Sequence, residues 1–212
     1  MWTRRHHCQV VSLEAGARMR WSVYLLMILV SIAVDASAGA LLEIAGAQPR
    51  FLPCVTVFAL LSAPKIYAVR LAMLAGLFAD LLSPTLRVDG SQLTVIGPWT
   101  LGFALGALAV LPLRSLLYHR NPISSGFAVL VFSWLAAVVF VALWMVRQGL
   151  WSGEQPSWWP GTGAREMWHQ TKTALANGVI AIPTVWLLEK SRTLWGFSTA
   201  KRVVHGAARE LV

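Results

Sequence analysis

Two acids that stand alone in apolar stretches, Asp35 and Asp80, are the residues most able to do chemistry in this chain. A lone carboxylate in a membrane helix costs about 2.5–3.5 kcal/mol on insertion scales, so it normally faces the interior of a helix bundle and marks a functional place. Asp80 is the stronger candidate, because Ala68, Ala72 and Gly76 precede it at intervals of four and share its helix face. The pattern predicts close helix packing that ends at a buried acid.

The composition indicates what must position these acids. The 212 residues are 57% hydrophobic and only 13% charged, with a mean hydropathy of +0.61. So little polar surface cannot cover a soluble globule, and we predict an all-α integral membrane protein surrounded by lipid. The net charge is +9, but the basic residues cluster between apolar runs without interleaved aromatics, so we expect no nucleic-acid partner.

The apolar runs predict about six transmembrane helices. A cytoplasmic lead (1–20) precedes a membrane domain (21–188), and a basic cytoplasmic tail (189–212) follows it. The second span is marginal in length, so a tilted or re-entrant segment stays open for it. Pro84 ends the third helix. The predicted spans are 21–42, 51–63, 66–83, 93–113, 123–146 and 170–188.

The first span has an alternative interpretation as a signal peptide. A basic start, a short apolar core and the small residues 36–38 fit a signal-peptidase site. We favour a retained helix, because the apolar run continues through Leu42 and Asp35 lies beside the cleavage triplet.

The basic residues orient the six predicted spans. With both termini cytoplasmic, thirteen of the 18 Lys and Arg residues lie inside, as the positive-inside rule requires. The other five lie outside: Arg50, Arg87, Arg147, Arg165 and Lys172. This orientation also places the two cysteines, Cys8 and Cys54, on opposite sides of the membrane, so we expect no disulfide between them.

In this orientation both acids lie at the same depth in the membrane. Asp35 and Asp80 each lie fourteen residues beyond the start of their span, which at about 1.5 Å per residue is about 21 Å from the inner boundary. They could line one outer polar pocket with Arg87, with Arg87 or Arg50 as the counter-ion. Two isolated carboxylates that snorkel to the surface are the simpler alternative.

Other motifs indicate packing more than chemistry. Gly102 and Gly106 form a GxxxG pattern that lets two helices approach closely. We find no catalytic constellation, cofactor-binding loop or metal-ligand spacing, and expect no enzyme activity. The loop 147–169 is rich in tryptophan, which is typical of interfacial anchors, although a docking surface for a periplasmic partner stays open.

The segment Gly76–Pro84, with its Gly-Leu-Phe-Ala-Asp core, resembles the rod shape-determining protein MreD family. The resemblance covers about 51–120 and includes the glycine-bearing fourth span and the basic loop after it. It implies a non-enzymatic scaffold subunit of the bacterial cell-elongation complex in the inner membrane. It also implies MreC, MreB and the cell-wall synthases as partners. The chain departs from the pattern in its longer lead, its Trp-rich loop and its basic tail.

A rival interpretation comes from a family to which MreD is similar in fold. Six spans, small residues at four-residue spacing and polar groups near the outer face also suit the substrate-binding subunit of an energy-coupling-factor vitamin transporter. Such a subunit needs an outer cavity lined by several polar and aromatic side chains. Asp35, Asp80 and Arg87 are the candidates that the sequence offers for it, and the motif at Gly76 favours the scaffold.

Overall fold

A computed structural model describes residues 20–38, 41–43, 46–82, 84–86, 92–114, 122–150 and 163–195. These residues form six helices and one antiparallel pair of two-residue strands, in which Thr85 faces Leu93. In chain order the elements are α1 (Trp21–Ala38), α2 (Phe51–Ser62), α3 (Lys65–Leu82), β1 (Thr85–Leu86), β2 (Gln92–Leu93), α4 (Pro98–Leu113), α5 (Pro122–Leu150) and α6 (Gly163–Lys190).

The shortest helix, α2, lies at the centre of the bundle. Every residue from Leu52 to Leu60 is buried, because α1, α3, α4, α5 and α6 all contact the helix. Its sequence is apolar on all sides, which is the pattern expected of a helix that is surrounded by others. Pro53 falls in its first turn, where the missing N–H costs nothing.

Aromatic side chains fill the end of the bundle at which α1 begins. The ring of Trp195, just beyond α6, packs edge-on against Phe58 at 5.1 Å between centroids. Tyr24 also contacts Trp195, and its hydroxyl donates to the carbonyl of Leu71 in α3 at 2.8 Å. Trp195 thereby fixes the C-terminal end of the described chain to α1 and α2, and Tyr24 joins α1 to α3.

The outer faces of the helices are apolar as well. The exposed large hydrophobic residues include Leu26, Leu105, Phe127 and Leu187, which lie on α1, α4, α5 and α6. Two segments, Ile123–Arg147 and Gly163–Lys190, are long and apolar enough to cross a membrane, and three more helices are apolar but shorter. Such a surface fits contact with lipid better than contact with water.

The all-helical prediction is confirmed, but several predicted boundaries were wrong. Residues 93–97 precede helix α4, because the strand pair and the turn at Gly97 come first. Helix α6 begins at Gly163, seven residues before the predicted span, because Arg165, Glu166 and His169 lower the hydropathy of its first two turns without preventing a helix. Pro183 lies inside α6.

The predicted lead 1–20 and tail 189–212 lie largely outside the described residues, as do Cys8 and residues 151–162 of the Trp-rich loop. Residues 36–38, the candidate signal-peptidase site, form the last turn of α1. The two ends of the predicted loop 147–169 are helical and belong to α5 and α6.

Candidate functional site

Asp80, near the end of α3, caps the beginning of α4. Its Oδ2 accepts the N–H groups of Gly97 (2.9 Å) and Thr100 (3.0 Å) and the hydroxyl of Thr100 (2.7 Å). Its Oδ1 accepts the N–H of Trp99 at 2.9 Å. Gly97 has no side chain with which to cap the helix and Pro98 has no N–H, so a distant carboxylate satisfies the helix start. The negative charge also lies at the positive end of the helix dipole.

Gly76 makes this cap possible, because it lets α3 and α4 touch at backbone level. A Cβ atom at Gly76 would lie 2.6 Å from the Cα of Thr100 and 2.6 Å from the carbonyl oxygen of Trp99. Gly102 and Gly106 repeat this arrangement between α4 and α5. Their Cβ atoms would lie 2.7 Å from the carbonyl oxygen of Ala136 and 2.9 Å from the ring of Phe132, respectively.

Asp35, near the end of α1, caps α2 in the same way. Its carboxylate accepts the N–H groups of Phe51 at 2.6 Å and Leu52 at 3.3 Å. The N-cap residue, Arg50, supplies no side-chain acceptor. Both predicted acids therefore serve the first turn of the next helix. They lie at one end of the bundle, where α1 and α3 finish and α2, α4 and α6 begin, and we call this the Asp end.

A cavity of about 210 Å³ lies at the Asp end, and all six helices contribute to its wall. Its apolar lining includes Ile32, Leu52 and Phe103. The polar residues that line it are Asp35, Gln48, Arg50, Ser133, Gln170, Thr173 and Asn177. One small, partly open space thus collects polar side chains from the helices and from the loop before α2.

Arg50 is the basic residue among the described residues that line the cavity. Its guanidinium lies over the ring of Trp99, 5.1 Å from the centroid, in a cation–π contact. Phe140 stacks on the same ring at 4.5 Å, which fixes the aromatic plane. Burial lowers the pKa of the Arg50 guanidinium, while the carboxylates of Asp35 and Glu166 oppose that shift.

Asn177 connects the loop before α2 to the helices behind the cavity. Its Oδ1 accepts the backbone N–H of Arg50 at 2.7 Å, and its Nδ2 donates to the hydroxyl oxygen of Ser133 at 3.2 Å. Asn177 is 3% exposed, so these two bonds satisfy an otherwise costly buried amide. The backbone at Arg50 is therefore fixed, and with it the position from which the guanidinium enters the cavity.

The cavity differs from the predicted outer pocket of Asp35, Asp80 and Arg87. Asp35 lines it, but Asp80 does not, because its 2% exposed carboxylate is turned toward α4. Arg87 lies outside the described residues, and Pro84 is exposed beyond the end of α3. Arg50, named only as a possible counter-ion, is the cation that lines the cavity among the residues that the structure describes.

Sequence reasoning missed the wall that α6 contributes. Gln170, Thr173 and Asn177 recur at intervals of three and four, which places them on one helix face. Polar residues at this spacing in an apolar span could have indicated an internal polar surface. Among the described residues, no group of three or more His, Cys, Asp or Glu side chains could hold a metal ion.

No family model, curated protein or solved structure matches the chain.

Proposed function

We propose that the chain is a multi-pass protein of the bacterial inner membrane, with six spans and both termini in the cytoplasm. The exposed apolar faces of α1, α4, α5 and α6 support lipid contact around the bundle. The capped helix ends and the enclosed polar residues fit a bilayer, in which unsatisfied backbone groups cost several kcal/mol each. In this orientation the Asp end faces the periplasm.

Within that membrane we propose a non-enzymatic scaffold role in the cell-elongation complex, with MreC, MreB and the cell-wall synthases as partners. The resemblance to the MreD family rests on the segment Gly76–Pro84. The observation that supports the proposal is the use of Asp80: both carboxylate oxygens accept hydrogen bonds from α4. The motif thus fixes the packing of two helices, which is a structural task suited to a scaffold.

The test is a crosslinking pull-down of tagged full-length chain from native bacterial membranes. We expect recovery of MreC and cell-wall synthases with the wild-type chain and with Met73→Leu, which changes an exposed residue of α3. Gly76→Leu forces α3 and α4 apart and should reduce both the folded amount and the recovery. Absence of elongation proteins from the wild-type sample would reject the scaffold role.

The cavity at the Asp end favours a second candidate, the substrate-binding subunit of an energy-coupling-factor transporter. Its wall carries the convergent polar and aromatic side chains that such a subunit needs, including Arg50, Trp99 and Asn177. The same pull-down separates the two proposals. Recovery of a paired ATPase module with its transmembrane coupling protein would support the transporter subunit in place of the scaffold.

A further inference from the structure

We propose that the cavity at the Asp end binds a compact zwitterion, a molecule in which a primary ammonium group and an oxyanion are a few atoms apart. In this site Arg50 binds the oxyanion and Asp35 binds the ammonium group. This inference does not depend on the scaffold role, because it concerns the contents of the cavity and not the outer surface of the bundle.

The first argument is the balance of charge. Among the described residues that line the cavity, Arg50 and Asp35 are the charged ones, one of each sign. Glu166, which also acts on Arg50, is not part of this lining and accepts a hydrogen bond from Gln170. Arg50 and Asp35 influence each other electrostatically, yet in the described part of the chain no ion pair within 4.0 Å joins them. Two opposite charges that face one cavity without contact suit a ligand that carries both signs and has no large net charge.

The second argument is the unused hydrogen-bonding capacity of these two groups. The Arg50 guanidinium has five N–H donors, and its contact within the described residues is the face of Trp99. A guanidinium whose N–H groups have no acceptor among the described residues can donate two parallel hydrogen bonds to a carboxylate or phosphate. Asp35 accepts one N–H on each oxygen, and each oxygen retains a further lone pair.

The neutral side chains supply the remaining complementarity. Gln170 uses its Nε2 to donate to Glu166 at 2.7 Å, which leaves its carbonyl oxygen as an acceptor. The Ser133 oxygen accepts from Asn177 and keeps its own hydrogen as a donor. Thr173 is buried beside them in the cavity wall. Donors and acceptors are thus both present, as a zwitterion requires.

Size restricts the ligand further. About 210 Å³ is below the roughly 300–1,000 Å³ of pockets for drug-sized molecules and equals about seven waters at liquid density. The space therefore accepts an amino-acid-sized molecule. It also accepts the headgroup of an aminophospholipid, which has the same ammonium and oxyanion and would enter from the surrounding membrane.

The test measures binding to the purified full-length chain in an uncharged detergent, by thermal unfolding and native mass spectrometry. The soluble probes are O-phosphoethanolamine and β-alanine, with ethanolamine and inorganic phosphate as the separate halves. We expect saturable one-to-one binding of a zwitterion and at least about tenfold weaker binding of either half. The lipid arm uses nanodiscs of phosphatidylethanolamine, phosphatidylcholine or phosphatidylglycerol, of which only the first combines a primary ammonium with a phosphate.

The variants assign binding to the cavity. Arg50→Gln should weaken binding at least about tenfold, whereas Arg70→Gln removes the same charge from an exposed site on α3 and should leave it unchanged. If Arg50→Gln does not fold, Arg50→Lys and Thr173→Val carry the test, and both should weaken binding.

Each outcome decides the proposal. Saturable binding of a soluble zwitterion identifies a free ligand, and retention of phosphatidylethanolamine alone identifies a lipid. The proposal is overturned if no probe binds, if one half binds as tightly as the zwitterion, or if the cavity variants bind like wild type. Recovery of elongation proteins is measured separately, so the scaffold role can fail while this site is retained, and the reverse.

Discussion

Asp35 and Asp80 occupy equivalent places in two successive helix pairs, since each lies near the end of one helix and accepts the first N–H groups of the next. Asp80 accepts four donors and is 2% exposed, so its carboxylate is fully committed to α4. Asp35 accepts two donors and is half-buried at the cavity. The capping carboxylate of Asp80 is thus buried between two helices, whereas that of Asp35 lines the cavity, where a ligand can reach it.

Substitution of Asp80 should destabilise the protein in proportion to the acceptors removed. Asp80→Asn keeps one oxygen and should cost about 1–3 kcal/mol, because an amide N–H₂ then faces an N–H donor. Asp80→Leu leaves three backbone N–H groups without their acceptor and should cost more. Thr100→Val removes only the hydroxyl donor and should be the mildest change. The measurement is thermal unfolding of purified protein beside membrane abundance.

One result would contradict a purely structural role for Asp80. An Asp80→Asn protein as stable and abundant as wild type, but unable to recover elongation proteins, would show that the charge acts in something other than capping.

Gly76→Ala should destabilise the protein although alanine is the better helix former. The gain in helix propensity is about 1 kcal/mol, but the new Cβ would lie 2.6 Å from backbone atoms of α4, and overpacking costs typically 1–3 kcal/mol. Backbone atoms cannot rotate away as a side chain can. We therefore expect the steric cost to exceed the gain in helix propensity. Met73→Ala, on the exposed face of α3, is the control for thermal unfolding. An unchanged or higher melting temperature for Gly76→Ala would contradict the close contact.

Gly97→Ala should destabilise for a different reason. No atom lies within 4 Å of a Cβ built there, but the residue has φ of +133°, which L side chains rarely adopt. The expected cost is about 1–3 kcal/mol from backbone strain alone. A crystal or cryo-electron microscopy structure of the variant should show a rotated turn before α4. Wild-type stability in the same unfolding assay would mean that this turn relaxes freely.

Cysteine labelling should report the proposed orientation, provided that the probe sites are exposed. Native Cys54 is 0% exposed, so a membrane-impermeant maleimide should leave it unmodified until the protein is denatured. Leu41→Cys replaces a residue that is 86% exposed beyond α1 and should be labelled in intact cells. Lys65→Cys, at the opposite end of the bundle, should react only after the cells are opened. The reverse labelling pattern would invert the topology.

Most helices and the two buried acids could be predicted from the sequence, because hydrophobic runs and isolated charges are local signals. Asp35 and Asp80 stand out in any reading of their segments. The cavity was harder to predict, since it depends on residues from six helices that are distant in sequence. Arg50 was counted mainly as an orienting charge, and only the fold brings its guanidinium over Trp99. The early start of α6 was missed because hydropathy detects lipid contact and not helical hydrogen bonding.

The position of α2 has a consequence for biogenesis. Twelve residues at about 1.5 Å each give a helix of about 18 Å, which is shorter than the roughly 30 Å hydrocarbon layer. One end is capped by Asp35, and at the other end Arg114, from the end of α4, donates to the carbonyl of Ala63 at 2.7 Å. Both ends of α2 thus depend on other helices, so in a bilayer we expect this segment to become stable only after the fourth helix has been synthesised.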